Sequence, residues 1–188
     1  MQAAGFCDSL LGNNMADFEP ALQKTLGNEG GFFHNTVTGE IVNRGITLTF
    51  VRNCGYCTTA DEVYIQNLTV DQTAEIYRKY FWDPHNIGQI NDQDVASKVF
   101  DLTVNMGPGN AAHEGALTLL QKAICDCGGN CQIDGIIKTQ SITQVNALNA
   151  GQLLAAYRQR AEARYREIAA DDPKVAPNLG GWLNRLNS

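Results

Sequence analysis

Apolar residues recur at steps of three and four over most of this chain, so the pattern predicts a mostly helical protein. Phe18, Leu22 and Leu26 share one face after Asp17, a residue type that caps helix N-termini. Gly27 supplies a C-terminal stop and leaves Glu29 just beyond the helix end. Glycines at 30, 31, 39 and 45 then punctuate the chain, and the run Ile46-Thr47-Leu48-Thr49-Phe50-Val51 predicts a short strand. Thr69 followed by Gln72 is a capping box, opening a helix with Ala74, Tyr77 and Phe81 on one side and Pro84 as its end.

A further helix is expected from about 91 to 104 with Val95, Val99 and Leu102 inward, followed by a turn at Asn105-Met106-Gly107-Pro108-Gly109. Asn110 is positioned to cap the next, whose Ala112, Ala116, Leu119, Leu120 and Ala123 give the wide apolar face of a buried central helix. Ser141 and Gln144 form another candidate capping box. After Gly151, Leu154, Tyr157, Ala161, Tyr165 and Ile168 mark the last long helix. Its Arg158, Arg160, Arg164 and Arg166 alternate with Glu162 and Glu167, as on a solvated, ion-paired face. The expected class is mainly α, with a small loop and strand lobe beside Glu29.

Composition narrows the function. At 188 residues the chain fits a single domain, and 44% apolar with 18% charged residues argues for a packed core. A net charge of -6 with scattered basic residues argues against a nucleic-acid binder. No apolar stretch reaches the length of a membrane span, and the first residues carry no Sec-type signal pattern. A protein of this kind working outside the cytoplasm would be exported by another route or belong to a longer secreted chain.

The candidate chemistry centres on Glu29-Gly30-Gly31-Phe32-Phe33. A carboxyl group held against aromatic rings loses hydration and keeps its proton to higher pH, which suits a general acid. Glycoside hydrolysis needs such an acid and a second polar group that activates water or stabilises the sugar cation, and Glu40 is the obvious second carboxylate. The competing reading is that Glu29 is simply a solvated residue at a helix end.

The ordered blocks along the chain shift this balance. Glu29 to Phe32, Asn43-Arg44-Gly45-Ile46-Thr47, Tyr80-Phe81-Trp82, Val104-Asn105-Met106-Gly107, Leu120-Gln121-Lys122-Ala123, Asp134-Gly135 and Gly181-Trp182-Leu183-Asn184-Arg185 together resemble glycoside hydrolase family 108, the bacterial and phage N-acetylmuramidases. The resemblance implies a lysozyme-like α+β fold over residues 1–188, with about 132–188 a helical part similar to a peptidoglycan-binding segment. It implies cleavage of the glycan between N-acetylmuramic acid and N-acetylglucosamine, with Glu29 as the acid. The family's loop Asp has no aligned counterpart here, so Glu40 is favoured for the second role, with Thr38, Asn43 and Thr47 as the alternative means of positioning water. Phe32, Tyr77 and Asn105 are further expected sugar contacts; Tyr80 and Trp82 are candidate stacking faces, and core packing is the competing role for each aromatic. Lys138 stands where the binding segment carries glycine. The implied partner is peptidoglycan in the periplasm or cell wall, for an endolysin or an antibacterial effector with an immunity protein. A peptidoglycan-binding module with a decayed catalytic pair is the rival.

The cysteines fall at Cys7, in Cys54-Gly55-Tyr56-Cys57, and at Cys125, Cys127 and Cys131. Disulfides from Cys54 or Cys57 to the second cluster are expected, since the activity needs no cofactor. The alternative is a structural zinc held by Cys54, Cys57, Cys127 and Cys131.

Overall fold

The computed structural model describes residues 15–36, 39–130 and 132–188. Cys7, Thr38 and Cys131 therefore lie outside the described residues. The described architecture is mainly α with one small antiparallel sheet, as the periodicity implies.

Helix α1 (Phe18–Asn28) buries Phe18, Ala21, Leu22 and Thr25, and Asp17 occupies its N-cap without a side-chain capping bond. Glu29 is the C-cap residue, extended in conformation, with its N–H returned to the Leu26 carbonyl. The chain then forms the sheet β1 (Phe33–His34), β2 (Ile41–Asn43) and β3 (Ile46–Thr47), ordered β1-β2-β3. Asn43 pairs with Ile46 across a two-residue turn in which Arg44 (φ 51°) and Gly45 (φ 75°) are both left-handed. That is the tight hairpin whose twist matches the strands it joins.

The expected strand over 46–51 ends at Thr47, and Leu48–Asn53 is helix α2. Thr47 decides this locally, because its hydroxyl accepts the Phe50 N–H at 3.0 Å and caps the helix. Packing completes the override: Val51 is fully buried and Phe50 lies against Phe81 and Tyr80. Helix α3 (Glu62–Gln66) packs on β2. Helix α4 (Val70–Tyr77) opens on the expected Thr69–Gln72 capping box, then widens into a π turn at Arg78–Trp82 before Pro84.

Helix α5 (Gln93–Met106) is enclosed by α1, α6 (Ala116–Asp126) and α8 (Ala150–Asp171), and every residue from Val95 to Thr103 is buried. It is therefore at least as central as α6, which the sequence singled out. Asn110 does not cap α6; Gly115 does, while Asn110 Oδ1 closes a separate turn by accepting the N–H groups of Ala112 and His113. Likewise α7 (Thr139–Ala147) begins after Lys138, so Ser141 is buried inside it and Gln144 reaches out to the Asn130 N–H. Asn149 caps α8, with Gly151 inside its first turn. Leu153, Tyr157, Ala161 and Tyr165 face inward, and the outer arginines pair as expected, Arg166 with Glu162 and Arg164 with Glu167. Helix α9 (Leu179–Asn187) returns against α8 and brings Arg185 into the interior.

No helix among the described residues is long and apolar enough to cross a membrane. Cys54 and Cys57 are free thiols, so the expected disulfides from them to Cys125, Cys127 or Cys131 are not formed. The reason is placement: Cys54 ends α2 beside the sheet and donates to the Val51 carbonyl, whereas Cys125 and Cys127 lie at the end of α6, which packs on α5, α7 and α8. Among the described residues no three His, Cys, Asp or Glu side chains converge on a metal position.

Candidate active site

A fully enclosed helix should not carry charge unless that charge is paired. Helix α5 carries Lys98 and Asp101, both buried, and their partners explain why. Arg185 Nε donates to Asp101 Oδ1 at 3.0 Å, and Nη2 of the same guanidinium donates to Glu29 Oε1 at 2.7 Å. Lys98 Nζ donates to the Arg185 carbonyl at 2.7 Å and lies 3.5 Å from Asp101 Oδ2. Asn28, next to Glu29, donates to Asp101 Oδ1 at 3.2 Å. The charges of α1, α5 and α9 thus form one network with Glu29 at its edge.

The other side of the Glu29 carboxyl is backbone. A Cβ added at Gly45 would lie 2.6 Å from Glu29 Oε2 and 2.5 Å from the Tyr77 hydroxyl, so glycine is required by space as well as by its positive φ. Tyr77 donates to the Arg44 carbonyl at 2.8 Å, and the Arg44 N–H donates to the Gly30 carbonyl at 3.1 Å. These two bonds hold the hairpin turn over the helix end. Burial, with the negative charge of Glu29 adding to it, pushes the Tyr77 hydroxyl far above the ordinary tyrosine range, so it stays a neutral donor. Arg185 is opposed by burial, but Asp101 and Glu29 outweigh that and raise it, leaving a permanent cation. Lys98 is lowered by burial, against the pull of Asp101.

This differs from the apolar shield that the sequence suggests. Phe32 and Phe33 are 39% and 59% exposed, because Gly30 and Gly31 carry the chain outward before the aromatics begin. What surrounds Glu29 is a guanidinium, a tyrosine hydroxyl and a glycine backbone. Its side chain keeps 15% of its surface accessible. Among the described residues Oε1 takes the arginine and Oε2 accepts no hydrogen bond.

Glu40 lies at the opposite end of the β2–β3 hairpin from the Gly45 turn. Its carbonyl accepts from the Asn35 N–H, continuing the β1–β2 ladder, and its Oε2 accepts from Thr49 Oγ1 at 3.3 Å. The other expected contacts divide. Asn43 is committed inward, its amide donating to the carbonyls of Ile65 and Gln66. Thr47 caps α2. Tyr80 donates to the Cys54 carbonyl and Trp82 is buried against Phe18 and Phe100, which makes both structural. Tyr77 is buried but reaches the site with its hydroxyl. Asn105 accepts from the Tyr165 hydroxyl at 2.6 Å and lines an open groove of 510 Å³ with Asn28, Trp182, Asn184 and Arg185. Trp182 stacks on Tyr165 with centroids 5.2 Å apart, and it borders the same groove.

Sequence reasoning missed Asp101 and Arg185 as site residues. Their trace was present: Lys98 and Asp101 stand within the run Val95–Leu102, whose other members are apolar or small, and so demand a buried partner, and Arg185 stands in the Gly-Trp-Leu-Asn-Arg block.

Known proteins bear on this arrangement. Residues 22–107 match the family model for glycosyl hydrolase 108 and residues 115–187 match the one described as a predicted peptidoglycan domain. The solved structure of SagA from Brucella abortus superposes with a TM-score of 0.72 at 20% identity, covering 90% of this chain and 89% of that one, a likeness of fold. No curated protein matches. With a mainly α, lysozyme-like fold and both segments in place, the chain is similar to the glycosyl hydrolase 108 family over residues 22–107 and to the predicted peptidoglycan domain over residues 115–187.

Proposed function

We propose that this protein is an N-acetylmuramidase that cleaves the β-1,4 bond from N-acetylmuramic acid to N-acetylglucosamine in peptidoglycan, with Glu29 as general acid. The observation that carries the reading is the asymmetry of the Glu29 carboxyl. Arg185 holds Oε1, and among the described residues Oε2 accepts no hydrogen bond at the junction of helix and hairpin. A carboxylic acid anchored through one oxygen presents its proton on the other in a defined direction. That proton passes to the glycosidic oxygen as its bond to the sugar C1 breaks. Water forms the new bond to C1 and gives up a proton to the second group.

Glu40 is the proposed second group. Thr49 orients the Glu40 carboxylate. The groove with Asn105, Asn184 and Trp182 offers amide groups and an aromatic face to pyranose rings. An endolysin and a delivered antibacterial effector, the latter with an immunity protein, would use the same chemistry in the cell wall.

Digestion of purified peptidoglycan by the wild-type protein, followed by mass spectrometry, tests the reading. Products ending in reducing N-acetylmuramic acid are expected. Anhydro-muramic ends would make the enzyme a lytic transglycosylase, and an absence of soluble products would favour a binding module.

A further inference from the structure

We propose that Arg185 is the positioning residue of the glycosidase site, so that the segment matching the peptidoglycan domain supplies part of the catalytic apparatus. The proposal rests on Glu29 being the acid. Three observations support it. The guanidinium touches both carboxylates, at 2.7 Å from Glu29 Oε1 and 2.9 Å from Asp101 Oδ1. It is buried, with 8% of its side chain accessible, so the contacts are not screened as a surface pair would be. Its backbone is fixed as well, since Lys98 donates to the Arg185 carbonyl and thereby ties α9 to α5.

An arginine suits this place because its planar fork engages two acceptors at fixed angles, which a lysine ammonium cannot reproduce. Asp101 orients the fork and the fork orients Glu29. The hydrolase match ends at residue 107, and the counter-charge for its carboxylate comes from helix α9, beyond that limit. The two matched segments are therefore coupled at the site itself.

The charged and titratable groups facing Arg185 are Glu29 from α1, Asp101 and Lys98 from α5, Tyr77 from α4 and Tyr165 from α8. Of these, Glu29 and Asp101 are the carboxylates that the guanidinium bridges.

The test compares Arg185→Gln, Arg185→Lys and Asp101→Asn with Glu29→Gln in the full chain. The readouts are kcat per folded molecule and KM on solubilised glycan strands, with the folded fraction followed by circular dichroism. Arg185→Gln is expected to lower kcat per folded molecule by about 10²-fold with KM little changed. Arg185→Lys retains a buried charge but not the planar fork, and its kcat per folded molecule is expected to stay low. Asp101→Asn should lower kcat by loosening the fork. A loss of activity in Arg185→Gln that only tracks the folded fraction overturns the proposal, as does wild-type kcat in Arg185→Lys should Arg185→Gln not fold. If Glu29→Gln is inactive while Arg185→Gln behaves as wild type, the positioning role alone fails. Activity in Glu29→Gln instead removes the reading on which it rests.

Discussion

Arg185 Nη2 and Glu29 Oε1 are 2.7 Å apart, although 156 positions separate the two residues in the chain. The carboxylate at the end of α1 is thus completed by helix α9. Asp101, between them in sequence, joins them in space by accepting from the same guanidinium.

Glu29→Gln is the direct check on the acid. The amide oxygen still accepts from Arg185 and the shape is preserved, but no proton can be delivered. Turnover of purified peptidoglycan should fall roughly 10²-fold or more, with thermal stability close to wild type. Near-normal turnover would place the acid elsewhere.

Glu40→Gln separates a paired mechanism from a single-acid one. Gln keeps an oxygen for Thr49 Oγ1, so the hairpin should be undisturbed. Loss of a general base predicts a rate fall of roughly 10²-fold, read in the same assay. Wild-type activity would make Glu40 a surface carboxylate and hand the water to hydroxyl or amide groups.

Gly45→Ala probes the floor of the site without changing any polar group. The left-handed backbone at φ 75° costs an L-residue about 1–2 kcal/mol, before any steric effect. The new methyl must also displace Glu29 Oε2 or the Tyr77 hydroxyl, which lie 2.6 and 2.5 Å from it. A lower melting temperature and a larger loss of activity than of stability are expected. An alanine variant that matched wild type in chemical denaturation and lysis would show that the turn does not press on the acid.

The cysteines give a prediction independent of catalysis. Cys54 and Cys57 should both be alkylated by iodoacetamide in the denatured, unreduced protein. Non-reducing peptide mapping that found either one crosslinked to Cys125, Cys127 or Cys131 would contradict the structure.

Local features are what the sequence determined by itself. The helical periodicity, the Thr69–Gln72 capping box and the position of Glu29 just past the end of α1 are set by residues within a turn or two of one another, and they stand in the structure as the sequence implies. Even the clearest β-like run failed where a local cap competed with it: Thr47 and the burial of Val51 turned 48–53 into helix. Lys98 and Asp101 could be read as charges requiring a partner, but not which partner. Tertiary structure decided that, because the energy of a buried charge depends on what the packing of α5, α1 and α9 brings within about 3 Å of it, and no local pattern encodes that distance. The contact of Gly45 with Glu29 is of the same kind. A glycine before Ile46 announces a turn, and only the docking of that turn by Tyr77 and Gly30 makes it the wall against which the acid rests.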